Sequence, residues 1–290
     1  MPSESYAVSF GLQWKDFRLA QLDSFTGATV SRDRLTRLAD GSLEVFRGKQ
    51  VLEAGCGAGR FTEVMLNAGA SVHAVDLSAA AEANYENFKG RNNYSVCQAD
   101  IGRLPFAPGQ FDVVVCIGVI QHTENPERTI EALCTHIKPG GLLVIDHYTY
   151  GYAITTSRRF LRSLLKRVRN KEWALRFCKL LVHALWPVHT FLWKHRWHIP
   201  RIRETFLKIS PVVDYHDAYP QLGPGLLFTW AVLDTHDTLT DYYKHLRSRE
   251  EIESCLRECG MIDIQATYAG NGVEARARKP HSLNEKNQLR

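Results

Sequence analysis

A doubly wound α/β fold is predicted by three features of this 290-residue chain. Short apolar runs alternate with helical patterns between residues 50 and 148. Glycines cluster immediately after the first run, and acids stand at the ends of the next two. Strands separated by helices of this length pair in parallel through right-handed crossovers. The expected architecture is a mostly parallel seven-stranded sheet with an antiparallel terminal hairpin and an inserted helical cap.

The elements follow in order. Residues 6–38 read as a helical lead-in, with Tyr6, Phe10, Trp14 and Phe17 at helical spacing. Gln50 to Ala54 is a short strand, Gly55 to Gly59 a glycine loop, and Arg60 to Ala68 a helix stopped by Gly69. Ser71 to Val75 is a second strand ending at Asp76, and Ala79 to Lys89 a helix closed by Gly90. Tyr94 to Gln98 is a third strand. Phe111 to Ile117 is fully apolar, as in a buried parallel strand. Glu127 to Ile137 is a helix ending at Pro139-Gly140-Gly141, and Leu142 to Tyr148 a fifth strand. After an irregular stretch come a helix, Glu250 to Cys259, and strands Met261 to Tyr268 and Gly272 to Ala277. Gly270-Asn271 marks a hairpin turn between them. The domain division is 1–45 lead-in and lid, 46–150 nucleotide-binding core, 151–245 inserted cap, 246–280 helix and hairpin completing the core, and 281–290 a polar tail.

Composition narrows the class. With 44% hydrophobic and 23% charged residues, the chain is neither disordered nor fibrous. Seven cysteines at irregular spacing read as reduced intracellular thiols, and no zinc-type pairing accompanies Cys255 and Cys259. No basic segment followed by an apolar run opens the chain, so a cytoplasmic location is expected. The net charge of +5 is uneven: residues 158–208 hold 14 Lys and Arg against two acids.

The sharpest motif is Glu53-Ala54-Gly55-Cys56-Gly57-Ala58-Gly59. A strand turning abruptly into a helix, without Cβ atoms at the turn, lets a ligand's sugar and backbone approach closely. Asp76, at the end of the next strand, suits a pair of ribose hydroxyls. Asp100, just after the third strand, suits the exocyclic amine of an adenine. A dinucleotide fold would want glycine or alanine where Arg60 stands, and a pyrophosphate prefers an open helix N-terminus to a loop beside Glu53. That carboxylate instead suits the ammonium end of a methionine-like moiety.

The segments VLEAGCGAGRFT, HAVDLS, QADIGRLPFAPGQFDVVVCIGVIQHTENPERTI and IKPGGLLVIDHY together resemble class I S-adenosylmethionine-dependent methyltransferases. The bacterial small-molecule and lipid-intermediate group, which includes the ubiquinone-pathway enzymes, is most similar. The resemblance covers about residues 48–148, and GNGVEARARKP is similar to the last hairpin strand of that fold. It implies S-adenosyl-L-methionine as cofactor and S-adenosyl-L-homocysteine as product. It also implies that Glu53, Gly55, Gly57 and Gly59 shape the methionine pocket. Asp76 and Leu77 would hold the ribose, Asp100 and Ile101 the adenine, and Gly118 the wall beneath the transferred methyl. Trp14 is the expected lid residue over the cofactor, with core packing of the lead-in as the alternative.

Methyl transfer is an in-line displacement, so alignment and, where needed, a base are what the protein supplies. His122 is the leading base candidate, at the carboxyl edge where open α/β sheets bind ligands. His147 and Tyr148 end the fifth strand on that edge, and alternation sends one toward the pocket and the other into packing. The runs Asp214-Tyr215-His216-Asp217 and Asp234-Thr235-His236-Asp237 read as polar lid turns, with no metal expected.

The basic insertion begins with an amphipathic cationic helix, Arg158 to Asn170. Leu180 to Trp193 then runs without a Lys, Arg, Asp or Glu, is too short to span a bilayer, and is interrupted by Pro187. A helical substrate cap, peripheral contact at an inner membrane face through 158–197, and an anionic or lipid-linked acceptor remain open. The expected function is methyl transfer to an oxygen or nitrogen of a small molecule, part of a glycan- or lipid-linked pathway in one version. An RNA methyltransferase or a non-catalytic cofactor-binding module are the alternatives; no RNA-binding module is visible and nucleic acid is disfavoured.

Overall fold

The computed structural model describes residues 11, 13, 14, 16–150 and 155–281. Tyr6, Phe10 and the tail beyond His281 lie outside them. The described residues fall into two compact units. One lies within Gln21–Asp23, Thr29–Tyr152 and Tyr243–Arg290, the other within Met1–Ala20, Ser24–Ala28 and Ala153–Tyr242. The stretch expected as one lead-in is thus shared between them.

The first unit holds α1 (Val30–Leu38), β1 (Gln50–Ala54), α2 (Arg60–Asn67), β2 (Ser71–Asp76), α3 (Ala80–Phe88) and β3 (Tyr94–Gln98). It continues through β4 (Phe111–Cys116), α4 (Pro126–Thr135) and β5 (Ile137–Tyr148). In the second unit lie α5 (Thr156–Leu165), α6 (Lys171–Lys194), α7 (Pro200–Ile209) and α8 (Pro224–Thr240). The first unit closes with α9 (Arg249–Glu258), β6 (Ile262–Ala269) and β7 (Gly272–Arg278).

The seven strands take the order β3-β2-β1-β4-β5-β7-β6, with β7 antiparallel to both β5 and β6 and the other pairs parallel. The strand order reverses at β1, between β2 and β4, which is where open α/β sheets bind ligands. Register sets the carboxyl ends level: Glu53 pairs with Ala74 on one side and Val115 on the other, and Val115 pairs with Val144. Gly55, Asp76, Gly118 and Asp146 therefore gather along one edge. Beneath that edge lies a core built of Leu52, Val114, Leu143, Ile130, Leu133 and Leu256, all at most 1% exposed. Each such side chain contributes roughly 1.5–3 kcal/mol on burial. The Ser248 hydroxyl and Glu251 carboxylate form a capping box that starts α9.

One boundary differs from the sequence expectation. Pro139-Gly140-Gly141 does not end a helix; α4 stops at Thr135 and these residues lie inside β5. Ile137 pairs with Phe111, then the register shifts before Val113 meets Leu142. The irregular stretch is tied to the chain following β7, with the Gly140 amide donating to Lys279 O (2.8 Å) and the Lys279 amide to Gly141 O (2.9 Å). Glycine and proline here build a bulge rather than a turn.

The helical unit departs further from expectation. Pro187 does not interrupt the helix; α6 runs through it for 24 residues. An interior proline costs about 3 kcal/mol. Packing of Val182, Leu185 and Trp186 with Val212, Phe228, Ala231 and Val232 opposes that cost. Of the two acid–histidine runs, residues 214–217 lie in an irregular stretch with a turn between α7 and α8, while the second run is helical and not a turn. Asp234 to Asp237 lie inside α8, with His236 buried and its Nδ1 2.7 Å from Gln13 Oε1. Asp214 is held by His189 Nδ1 (2.6 Å) and His216 Nδ1 (2.7 Å), while Trp186 and Trp193 both stack on the His216 ring. The cationic helix is shorter than expected, ending at Leu165, and two of its arginines point inward: Arg158 donates to Pro211 and Val212 carbonyls, and Arg162 pairs with Asp241.

Candidate functional site

Each turn of the glycine loop has a physical cause. Gly55 has φ +79°, and a Cβ there would sit 2.3 Å from the Val119 side chain. Gly59 has φ +101°, and its Cβ would strike Phe88 at the same distance. Both backbone conformation and crowding therefore demand glycine. The loop is tied to β2 by the Gly55 and Cys56 amides donating to Val75 O (2.7 and 2.9 Å). Asn87 donates to Ala58 O at 2.8 Å and Asn84 to Gly57 O at 3.3 Å, so α3 holds the far side.

Asp76 closes the assembly. Its Oδ2 accepts the Gly57 amide at 2.9 Å, and its Oδ1 accepts the amide and hydroxyl of Ser78 at 2.9 and 2.7 Å. Burial pushes its carboxyl up, against these donors, which pull it down. Glu53 lies deeper, 3% exposed, and accepts from the Thr62 hydroxyl. Thr62 in turn accepts from Asn84 at 3.1 Å, and Tyr94 donates to Asn84 at 2.7 Å. Burial above all, with the charge of Asp76 adding to it, pushes the Glu53 carboxyl up to about 8.

The remaining cofactor candidates sit on the same edge. Leu77 is exposed beside Asp76. Asp100 is exposed and caps a single helical turn through Gly102, while Ile101 is buried behind it. A Cβ on Gly118 would meet nothing within 4 Å. The Gly118 amide donates to Asp146 Oδ1 at 2.5 Å, and the other Asp146 oxygen pairs with Arg34 of α1. Trp14 belongs to the helical unit, where it is half-buried, and Phe17 packs in that unit's core.

At the β4–β5 end, His122 sits on the turn Ile120–His122, and its Nδ1 lies 3.1 Å from Tyr243 O. Its ring meets Tyr148 edge-on at 5.4 Å. His147 is 1% exposed, with Nδ1 2.8 Å from Tyr148 O; burial first holds its imidazole below the usual histidine range. The structure thus brings His122 and Tyr148 into contact and sends His147 inward. A strap, residues 243–247, crosses this edge: the His245 amide donates to Gln121 O and the Arg247 amide to Tyr148 O, both at 2.9 Å.

The acid-lined loop fits S-adenosylmethionine and does not fit a diphosphate. The Gly57 amide of the loop is already taken by a carboxylate, whose charge disfavours an anion there. Arg60, at the start of α2, turns its Nε to Ser31 at 3.2 Å. Hydroxyls, an amine and an ammonium suit the three acids instead.

Comparison with known proteins agrees. A family model described as a methyltransferase domain matches residues 52–145. A ubiquinone biosynthesis O-methyltransferase of Shewanella pealeana is 26% identical over 216 residues, covering 70% of this chain and 74% of that protein. The mitochondrial enzyme of the same description from Schizosaccharomyces pombe is 34% identical over 187 residues, covering 58% and 64%. These similarities support a class I S-adenosylmethionine-dependent methyltransferase. Among solved structures, the magnesium protoporphyrin IX methyltransferase of Synechocystis with bound S-adenosylhomocysteine is 18% identical. That match covers 86% of this chain and 82% of that one, with a TM-score of 0.44.

Several residues that shape this methyltransferase's edge escaped the sequence reading. Asp146 offered a signal, as the one acid in an apolar strand. Thr62, Asn84 and the strap offered none, because ordinary polar residues acquire roles here only through tertiary contact.

Glu53 gives a pH test of the ligand-free enzyme. Its folded carboxyl, near 8, lies above its ordinary value of 4.5, so the folded state holds the extra proton. Stability is fully present below the ordinary value and is lost as pH rises through 8. Urea unfolding at pH 5 and 9 should show a fall at the higher pH that is smaller in Glu53→Gln.

Proposed function

We propose that this methyltransferase methylates a hydroxyl oxygen of a small molecule, with His122 as the base. The observation that carries this reading is the His122–Tyr243 contact. With Nδ1–H donated to the Tyr243 carbonyl, the lone pair resides on Nε2, at the carboxyl edge beside Tyr148. A neutral hydroxyl is a poor nucleophile, and a neutral imidazole within reach takes its proton as the oxygen attacks. When bound, the cofactor supplies an electrophilic methyl on a sulfonium that leaves as a neutral thioether. The oxygen–carbon bond forms as the carbon–sulfur bond breaks, and the proton ends on His122. The O-methyltransferase activity named for both relatives supports oxygen as the acceptor atom.

For the cofactor, Asp76 and Leu77 would hold the ribose and Asp100 and Ile101 the adenine. Glu53 and the glycines at 55, 57 and 59 would frame the methionine end, and Gly118 would leave room beneath the methyl. Holding the reactants in line supplies roughly 7–11 kcal/mol of the barrier.

We further propose a lipid-linked acceptor met at the inner face of a membrane. Among the described residues no helix is long and apolar enough to cross one. Phe160 and Leu164 on α5 are 64% and 54% exposed, and Trp197 is 81% exposed; Arg159, Arg167 and Arg169 are exposed beside the first two. Apolar side chains among cations are what an anionic lipid surface retains.

Incubation with labelled S-adenosylmethionine and a phenol panel tests the transfer. His122→Ala should lower kcat by about 10²–10⁴ while S-adenosylhomocysteine affinity holds; unchanged kcat removes His122 as base. In flotation, Phe160→Ser with Leu164→Ser should cut retention on anionic vesicles. Equal binding of wild type to neutral and anionic vesicles rules out the lipid contact.

A further inference from the structure

Helix α6 carries two apolar faces, and the helical unit uses one of them. Cys178, Val182 and Leu192 are buried in that unit. A different set of residues, Trp173, Phe177, Leu180, Ala184, Pro187 and Phe191, recurs at alternating steps of four and three. All of these are exposed except Phe177, which is half-buried and stacks on Trp173 at 5.5 Å; Leu180 is 70% exposed. Arg176 and His183 border the stripe on one side and Val188 on the other.

Alternating steps of four and three are the heptad repeat of a coiled-coil seam, about 27 Å long here. Such a seam is narrow and suits a second helix, whereas a lipid surface takes a broader face bordered by cations. Charge at the ends says which helix. Glu172 in the first turn and Lys194 in the last are exposed, and neither has an ion pair among the described residues. They stand roughly six turns apart on one side of the helix. A second α6 running parallel would set Glu172 against Glu172 and Lys194 against Lys194. Running antiparallel, it sets each Glu172 beside the other copy's Lys194. The seam then closes in layers of Trp173 on Phe191, Phe177 on Pro187 and Leu180 on Ala184, each formed twice. Ala184, near the middle, lets the two backbones approach closely, and the helix dipoles lie in favourable opposition.

We infer that the exposed seam of α6 is a self-association surface, through which two copies of the chain pair by antiparallel α6 helices about a twofold axis. The seam is short for a free-standing coiled coil. It suffices here because packing inside the unit has already folded α6, so association does not have to nucleate the helix. Phe160 and Leu164, the residues proposed to meet lipid, lie on α5 and outside the seam.

Sedimentation of the full chain over a hundredfold range of concentration tests this. Wild type should pass from one chain to two, with a micromolar Kd. Leu180→Glu should raise that Kd at least about tenfold while Tm and S-adenosylhomocysteine affinity hold, because the side chain is already in water. Phe191→Glu should do the same and gives an independent reading if Leu180→Glu lowers Tm. Glu172→Lys alone and Lys194→Glu alone should each weaken the dimer at least about threefold at low ionic strength, and the two together should restore it. A wild type that stays a single chain throughout overturns the inference, and so does a dimer that neither seam variant weakens. Single exchanges without effect overturn the antiparallel arrangement. If wild type stays a single chain and Leu180→Glu lowers its retention on neutral phosphatidylcholine vesicles, the seam faces lipid and the inference falls.

Discussion

The hydrogen bond from the Gly57 amide to the Asp76 carboxylate is the contact on which the rest of the site depends. It joins the loop after β1 to the end of β2, and it decides what the loop can bind. A helix N-terminus ordinarily presents free amides to an anion. Here the protein supplies its own carboxylate, so the loop no longer favours phosphate. The Ser78 amide and hydroxyl hold the other carboxylate oxygen, which fixes the side chain at the level that strand register gives the edge.

A buried polar column supports this contact from below. Tyr94, Asn84, Thr62 and Glu53 form a chain of hydrogen bonds from β3 through α3 and α2 to β1. Such a chain is costly when partly satisfied and specific when complete. Its last member, at the end of β1 beside the glycine loop, is a carboxyl whose burial favours the protonated form. A cationic ligand group arriving there would favour the ionised form. On the opposite side of β1, Asp146 performs a similar linking task, holding the Gly118 amide and Arg34 of α1. Two carboxylates thus pin the two loops that flank the site.

Much of this was legible in the sequence because its causes are local. The glycine spacing, the acids at strand ends and the strand–helix alternation each follow from backbone geometry over a few residues, and the parallel order follows from crossover handedness. What was not legible has causes distant in sequence. Pro139-Gly140-Gly141 reads as a stop, but pairing with the chain after β7 draws it into β5. Pro187 reads as a break, but the packing around Val182 and Trp186 carries α6 through it. The runs around His216 and His236 read as polar lid turns, yet both histidines are buried on specific partners. The strap at residues 243–247 carries no motif at all; its meaning lies in two backbone hydrogen bonds to residues about a hundred positions earlier.

Calorimetric titration of S-adenosylhomocysteine into Asp76→Ala, with Asp76→Asn alongside, addresses the central contact most directly. With the fold retained by circular dichroism, the alanine variant should lose at least about hundredfold in affinity, because it removes both the proposed ribose partner and the anchor of Gly57. The asparagine variant should fall between alanine and wild type. An alanine variant that binds within twofold of wild type would mean that the pocket does not depend on this carboxylate.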